Sequence, residues 1–222
     1  MDTDTGTTTS TDTPTPGLRE IKKRETRQLI SDRATRLFIE QGFERTTIAE
    51  IAGAARVAKK TVTNYFPRKE DLALDHQAEF VAGLARALAA REPGESALQA
   101  LRRAFLAAVA AQDPVAGFAG PEFTRMIAES PTLSARLRDL HDQREEALAE
   151  ALAEATGAPA HDITPRTAAA LLAGVHRVLF RRIQDLTLAG RTNPEIAGIV
   201  EEEAARAFDL LAPALADYAR AE

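Results

Sequence analysis

Apolar residues recur along this chain at three- and four-residue intervals, the period of an amphipathic helix. Ile30, Ala34, Leu37 and Phe38 fall on one helical face, which predicts a first helix over about 19–41. Gly42 follows as its terminator, because glycine takes the left-handed conformation that closes a helix. Phe43 then returns to the core. The run Thr47-Ile48-Ala49-Glu50 opens a second helix. A hydroxyl at the N-cap and a carboxylate at N3 make a capping box. Ile48, Ile51 and Ala52 form its buried stripe, and it ends near Ala54. The turn Ala55-Arg56-Val57 leads to a third helix over about 58–66, with Val57, Val62 and Phe66 inward. Pro67 stops it. A fourth helix is expected over about 68–90, with Glu70 and Asp71 in the first turn, where the macrodipole favours acids. Pro93-Gly94 breaks it.

The remainder reads as longer amphipathic helices. Leu98, Leu101, Phe105 and Val109 carry one over 95–112, and a Pro/Gly-rich stretch over 113–121 interrupts. A short helix covers 122–129. A long one over 131–156 uses Leu133, Leu137, Leu140, Leu148 and Leu152, and Gly157 closes it. Thr164-Pro165 pairs an N-cap with a proline at N1 and opens a helix that ends at Gly190. Asn193-Pro194 starts the last by the same device. The pattern predicts nine helices and no strand. Aromatics at 5% and the absence of Trp agree with an all-α fold, since strands favour aromatic and β-branched residues.

Composition sets the class. With 45% hydrophobic residues, the 222-residue chain can build a sizeable core. The absence of cysteine rules out disulfides, thiolate zinc sites, iron–sulfur clusters and cysteine nucleophiles. No run approaches the 18 apolar residues of a membrane span. The opening residues are polar and acidic rather than a signal peptide, so the expected compartment is the cytoplasm. Residues 1–17 form a Thr/Asp/Pro-rich stretch with no apolar face, expected to be a disordered tail.

The net charge of −5 hides a division. Residues 1–17 carry −3. Residues 18–70 hold thirteen Lys/Arg against seven Asp/Glu, or +6, and residues 71–222 carry −8. All five lysines lie in the middle block: Lys22, Lys23, Lys59, Lys60 and Lys69. A basic segment beside an acidic body suggests that the basic part meets a polyanion.

Two short helices joined by a three-residue turn form a helix-turn-helix, whose second helix enters the DNA major groove. Here that helix begins Ala58-Lys59-Lys60-Thr61-Val62-Thr63-Asn64-Tyr65-Phe66. Two lysines at a helix N-terminus oppose the macrodipole, at a cost of roughly 0.3–1 kcal/mol each. A nearby phosphate or guanine reverses that sign. Lys can donate to guanine, Thr to several base edges, and Asn to adenine in bidentate fashion. Thr46 and Thr47 can offer hydroxyls and backbone amides to a phosphate, and Lys69 starts the next helix in the same plane.

From residue 25 to about 84 the chain resembles the DNA-binding domain of the TetR family of bacterial transcription regulators. The matching residues run Ala34 to Phe43, Thr46-Thr47, and then IAEIAGAARVAKKTVTNYFPRKEDL. The resemblance implies a helix-turn-helix domain at 18–70 and a helical effector-binding and dimerisation domain at 71–222. It implies a homodimer on double-stranded DNA, a palindromic operator, and repression relieved by a small effector. Carried over by position, Lys59, Lys60, Thr61, Thr63 and Asn64 would face the groove. Thr47, Tyr65 and Lys69 would contact phosphates. Ala58 stands where the family commonly has a capping Ser, Lys60 where a small residue or Pro is common, and Thr63 where an aromatic is common.

The last two long helices suit self-association. Ala170, Ala173 and Gly174 permit close helix approach, and Ile199, Val200 and Phe208 add apolar surface. Phe105, Phe118, Phe123 and Met126 gather near the Pro/Gly break and are candidates for a ligand site, with His141, Arg144, His176 and Arg177 to orient a polar or anionic head. The body faintly resembles the acyl-CoA-type ligand-binding domain of actinobacterial members, which suggests a lipophilic or acyl-CoA-like effector. No cofactor, metal or membrane partner is expected. No His lies three residues after a Glu, so di-iron pairs are absent, and no phosphate loop or nucleophile elbow occurs. The chain therefore does not read as an enzyme. The rival reading is a helical small-molecule-binding or interaction module with degenerate DNA contacts.

Overall fold

The structure is a computed structural model that describes residues 17–221; the expected tail at 1–17 lies outside the described residues except for Gly17, which is the N-cap of α1 rather than part of a tail. Within them are eleven α-helices, one 3-10 turn and no strand. They are α1 (Leu18–Gln41), α2 (Ile48–Ala54), α3 (Lys59–Tyr65), α4 (Glu70–Ala73), α5 (Gln77–Ala89), α6 (Ala97–Ala110), the 3-10 turn Pro114–Ala116, α7 (Pro121–Glu129), α8 (Pro131–Thr156), α9 (Thr164–Leu188), α10 (Asn193–Asp209) and α11 (Ala212–Leu215).

The excess over nine has two sources. The fourth helix expected over 68–90 is in fact α4 and α5, separated at Leu74–His76. No glycine or proline marks that break. Tertiary contacts impose it: the Ser31 hydroxyl donates to the Asp75 carboxylate and to Leu72 O, which anchors this corner to α1. Leu74 leaves the helical region at φ −111°, ψ 52°. The other addition is α11, one turn after α10.

Two expected caps are replaced by neighbours. Thr164 is already inside α9, and its N–H and hydroxyl both donate to Asp162 Oδ1. Thr192, not Asn193, caps α10, in a capping box with Glu195. Pro165 and Pro194 keep their places in the first turn.

Two main cores hold the chain. Ile30, Ala34 and Phe38 of α1 pack with Phe43, Ile51, Val62, Phe66 and Leu72. This core takes in Leu72 and Ala73, beyond the expected boundary at residue 70, and Met126, Ile127 and Leu133 of α7 and α8 close its far side. The larger core joins α6, α8, α9 and α10 through Leu101, Phe105, Leu148, Leu172, Ile183, Val200 and Phe208. A small cluster of Phe80, Leu140 and Phe180 sits where α5, α8 and α9 meet.

Polar struts cross between the two parts. Arg136 of α8 donates to the buried Asp71 carboxylate at 3.4 Å and to Gln77 Oε1 at 2.6 Å. It thereby ties the start of α4 and of α5 to α8. No helix among the described residues is long and apolar enough to cross a membrane.

Candidate nucleic-acid interface and effector cavities

The α3 helix is fixed from beneath. Val62 and Phe66 are buried in the first core. Arg27 of α1 donates to Tyr65 O at 2.9 Å and lays its guanidinium 4.1 Å from the centroid of the Phe66 ring. A charged donor on the last carbonyls of a helix complements its dipole, so Arg27 sets the angle of α3 against α1. Nothing in the sequence marks Arg27 for this role.

The opposite face of α3 is open. Lys59, Lys60, Thr63 and Asn64 are exposed, and Thr61 and Tyr65 are half-buried. Ala58 stands at the N-cap without a side-chain cap bond. Neither Lys59 nor Lys60 forms an ion pair among the described residues, whereas many arginines of the body do. The Thr63 hydroxyl is turned back to Lys60 O at 3.1 Å.

The expected phosphate cradle at the start of α2 is arranged differently. Thr46 is 1% exposed, and its hydroxyl donates to Gly42 O at 2.9 Å, which withdraws it from any external partner. Thr47 is exposed, but its N–H and hydroxyl both donate to Glu50 Oε2, at 2.7 and 2.8 Å. Those two bonds hold the Glu50 carboxyl below its ordinary pKa. The capping box legible in the sequence is therefore the group that takes up Thr47. Lys69 lies 4.3 Å from the Phe43 ring centroid and donates to Glu44 O at 3.3 Å, so it pins the α1–α2 loop to α4.

The turn between α2 and α3 is a Schellman motif. Arg56 N–H donates to Gly53 O and Val57 N–H to Ala52 O. Arg56 occupies its left-handed position at φ 55°, where glycine is usual. Its exposed side chain stands beside α3 and is a candidate contact that sequence reasoning missed.

The residues expected to line a ligand site are brought together only in part. A cavity of 740 Å³ lies between α1 and the body, with Ser31, Thr35 and Ile39 on one wall and Phe118, Phe123, Leu137 and Phe180 on the other. A second, of 460 Å³, lies within the body and is lined by Leu84, Phe105, Arg144 and His176. The two adjoin, sharing His76, Pro114, Val115 and Phe180. Met126 is instead part of the first core, because α7 folds back onto α1. His141 lines neither cavity. Its ring is held edge-on against Phe80 and Phe180, with centroids at 5.0 and 5.2 Å. Burial, with Arg144 nearby, pushes its pKa down to about 3. Arg177 pairs with Glu145 at 2.9 Å, so it is engaged rather than available to orient a ligand head.

The expected dimer residues also divide. Ala173, Val200 and Phe208 are buried within the protomer; α9 carries apolar residues on both sides and its inner side took Ala173, while the outer side of α10 is charged through Glu201, Glu202 and Arg206. Ala170 is exposed, and Gly174 and Ile199 are half-buried. Beside them stand Leu171 and Val178, 42% and 65% exposed, which the sequence reading did not single out.

Comparison with known proteins decides the family. The description "Bacterial regulatory proteins, tetR family" matches residues 30–75, and "MftR C-terminal domain" matches residues 95–216. The transcriptional regulator TcmR of Streptomyces glaucescens is 33% identical over 212 residues, covering 92% of this chain and 91% of its own. The chain belongs to the TetR family. It is a DNA-binding transcriptional regulator, and this membership favours the regulator over the module with degenerate contacts. Solved TetR-type structures share the fold. A putative regulator from Syntrophomonas wolfei has a TM-score of 0.54 at 18% identity, over 84% of this chain and 96% of its own. SmeT in complex with triclosan also scores 0.54 at 18% identity, over 86% and 91%.

Proposed function

We propose that this TetR-family regulator is a cytoplasmic homodimeric repressor. It reads a palindromic operator through α3 and leaves it when a small-molecule effector enters the body. Residues through α4 form the DNA-binding unit, and the helices from α5 onward form the sensing and dimerising unit. The observation that carries this reading is the open face of α3: Lys59, Lys60, Thr63 and Asn64 point outward from a helix anchored by Val62, Phe66 and Arg27. Lys59 and Lys60 supply phosphate or guanine contacts, and Asn64 and Thr61 read base edges. Tyr65 reaches the backbone at the flank, while Thr47, bonded to Glu50, and Lys69 act there by holding the start of α2 and the loop.

A second copy docks on the outer stripe of α9, formed by Leu171, Gly174 and Val178, with Ile199 of α10 and Leu210 at its C-cap as further apolar surface. A Cβ built at Gly174 meets no atom within 4 Å, so the protomer itself does not require a glycine there. Glycine inside a helix costs about 1 kcal/mol relative to alanine, and close approach of a partner helix supplies a reason for it. A twofold dimer matches half-sites about 34–36 Å apart.

The effector acts by preferring the conformation whose recognition helices are off operator spacing. Its differential affinity is the coupling, typically about 1–3 kcal/mol. The cavity between α1 and the body supports such a link, since one wall belongs to each unit. A lipophilic effector suits the Phe and Leu lining of the two cavities.

Fluorescence anisotropy on DNA from upstream of the protein's own gene tests the reading, with a shuffled duplex as competitor. Specific binding is expected, with log K falling linearly against log salt. The double variant K59A/K60A is expected to flatten that slope by about 1–2 units per subunit. Binding that is equal on shuffled DNA, or a slope the variant leaves unchanged, overturns the assignment to α3.

A further inference from the structure

Arg144 stands inside the body without a counter-ion. Its Nε is buried and has no hydrogen-bond partner, and no carboxylate pairs with its guanidinium among the described residues. The guanidinium stacks 4.5 Å from the Phe80 ring centroid and borders the 460 Å³ cavity. Burial lowers its pKa to about 10, which leaves it charged at neutral pH. An uncompensated buried charge is among the more costly features a fold can hold.

The acids around this cavity are otherwise engaged. Asp113 accepts from Val115 N–H at 2.8 Å and caps the 3-10 turn, acting on Arg144 only through space. Glu79 is bonded to His76 at 2.6 Å. A second orphan faces the same space: His176 Nε2 is buried with no partner. Its ring is fixed edge-on between Phe105 and Phe208, with centroids at 5.4 and 5.5 Å. Burial, with Arg144 nearby, keeps that imidazole neutral. A neutral imidazole can still donate from Nε2 in the tautomer that carries its proton there. Arg86 also borders the cavity, with its guanidinium donating to Glu79 O at 2.9 Å, and Leu84, Ala104, Ala108 and Phe180 supply the apolar wall.

We propose that this cavity binds an apolar molecule bearing one anionic group, such as a carboxylate, sulfonate or phenolate, with the anion seated between Arg144 and His176. The proposal rests on the effector reading of the body and names the chemical class that reading leaves open. The guanidinium gives the anion two N–H donors and a full charge, and His176 Nε2 gives a third donor. The ligand supplies the counter-ion the fold omits, while its apolar part lies against Phe105 and Leu84.

A matched pair of dyes tests this. Anilinonaphthalene sulfonate and phenylnaphthylamine share their rings and differ by the sulfonate, and the chain contains no Trp to interfere with their fluorescence. Arg144→Met is expected to weaken the sulfonate dye by about tenfold or more and to leave the uncharged dye within about twofold. Arg144→Lys keeps a charge and should retain most of the sulfonate affinity. The ligand-free Arg144→Met protein should also melt at a higher temperature, because a charge without a partner has been removed. Absence of sulfonate-dye binding to the wild type, equal loss of both dyes, or a lower melting temperature overturns the proposal. Release of the wild-type protein from its DNA is scored separately. A dye that binds through Arg144 without releasing DNA upholds the anion site and removes the effector reading.

Discussion

The Ser130 hydroxyl donates to Glu44 Oε1 at 2.7 Å, across the seam between the α1–α2 loop and the junction of α7 with α8. The same oxygen accepts from Leu133 N–H at 3.2 Å, so Ser130 is at once the N-cap of α8 and a tether to the DNA-binding unit. The bond holds the Glu44 carboxyl below its ordinary pKa. Ser130→Ala should lower stability by about 1 kcal/mol, the usual cost of a lost N-cap, as read by urea denaturation. A double-mutant cycle with Glu44→Ala should then be non-additive, whereas strict additivity would mean that the bond carries no coupling.

Arg56 gives a prediction in which two readouts part. An L-residue in the left-handed region costs roughly 1–2 kcal/mol, and glycine returns roughly half of that through the entropy of the unfolded chain. Arg56→Gly should therefore raise stability by roughly 0.5 kcal/mol. DNA affinity should fall, because an exposed cation beside α3 is lost. A variant that is both less stable and fully active would place the value of Arg56 in the fold alone.

His141 fixes a pH dependence. Its pKa is about 3 in the folded protein against an ordinary 6.5. The unfolded chain therefore takes up the proton first as pH falls. The stability that neutral His141 contributes is fully present above pH 6.5 and is lost progressively below it, by about 1.4 kcal/mol per pH unit. His141→Phe keeps an aromatic ring between Phe80 and Phe180 and removes the titration. Between pH 7 and 5 the wild type should lose about 2 kcal/mol that the variant does not. His76, raised by Glu79, acts with the opposite sign, and His176 acts in the same direction as His141. Both remain in each protein, so the difference isolates His141.

Val178→Glu tests the outer stripe of α9. The side chain is 65% exposed in the protomer, so the substitution should leave the melting of the isolated subunit within about 0.5 kcal/mol. Analytical ultracentrifugation should find the dimer lost and operator affinity reduced with it. A variant that stays dimeric would move the twofold contact off this stripe.

Local chemistry was legible in the sequence, and choices made by packing were not. Thr47 and Glu50 form the capping box their spacing announces, and Gly157 closes α8 in the left-handed region, whereas Gly42 closes α1 at φ 87°, ψ 143°, a positive φ outside the left-handed helical region expected for it. Each signal is complete within a few residues. The break at Leu74–His76 has no local signal, because it follows from Ser31 bonding to Asp75 across the fold. Periodicity places Ala173 and Val178 on α9 without saying which side meets the core, since both sides are apolar. The outer face of α3 was readable as the exposed one because Lys59, Lys60 and Asn64 are polar against a clear Val62–Phe66 stripe. Of the ligand candidates, Phe105, Arg144 and His176 converge on one cavity and Phe118 and Phe123 on its neighbour, while Met126 and His141 are taken by packing. Spacing along a helix does not encode which distant helix it will face.

The distribution of lysine divides the molecule chemically as well as electrostatically. All five side-chain amines lie between residues 22 and 69, and the body relies on arginine alone. Arginine does not undergo the acylation that removes a lysine charge. An acetyl donor, or any amine-directed label, would thus modify side chains only between residues 22 and 69 and leave those of residues 70–222 untouched. On the function proposed above, covalent modification of this kind would tune DNA affinity through α1, α3 and Lys69 and leave the cavities of the body chemically unchanged.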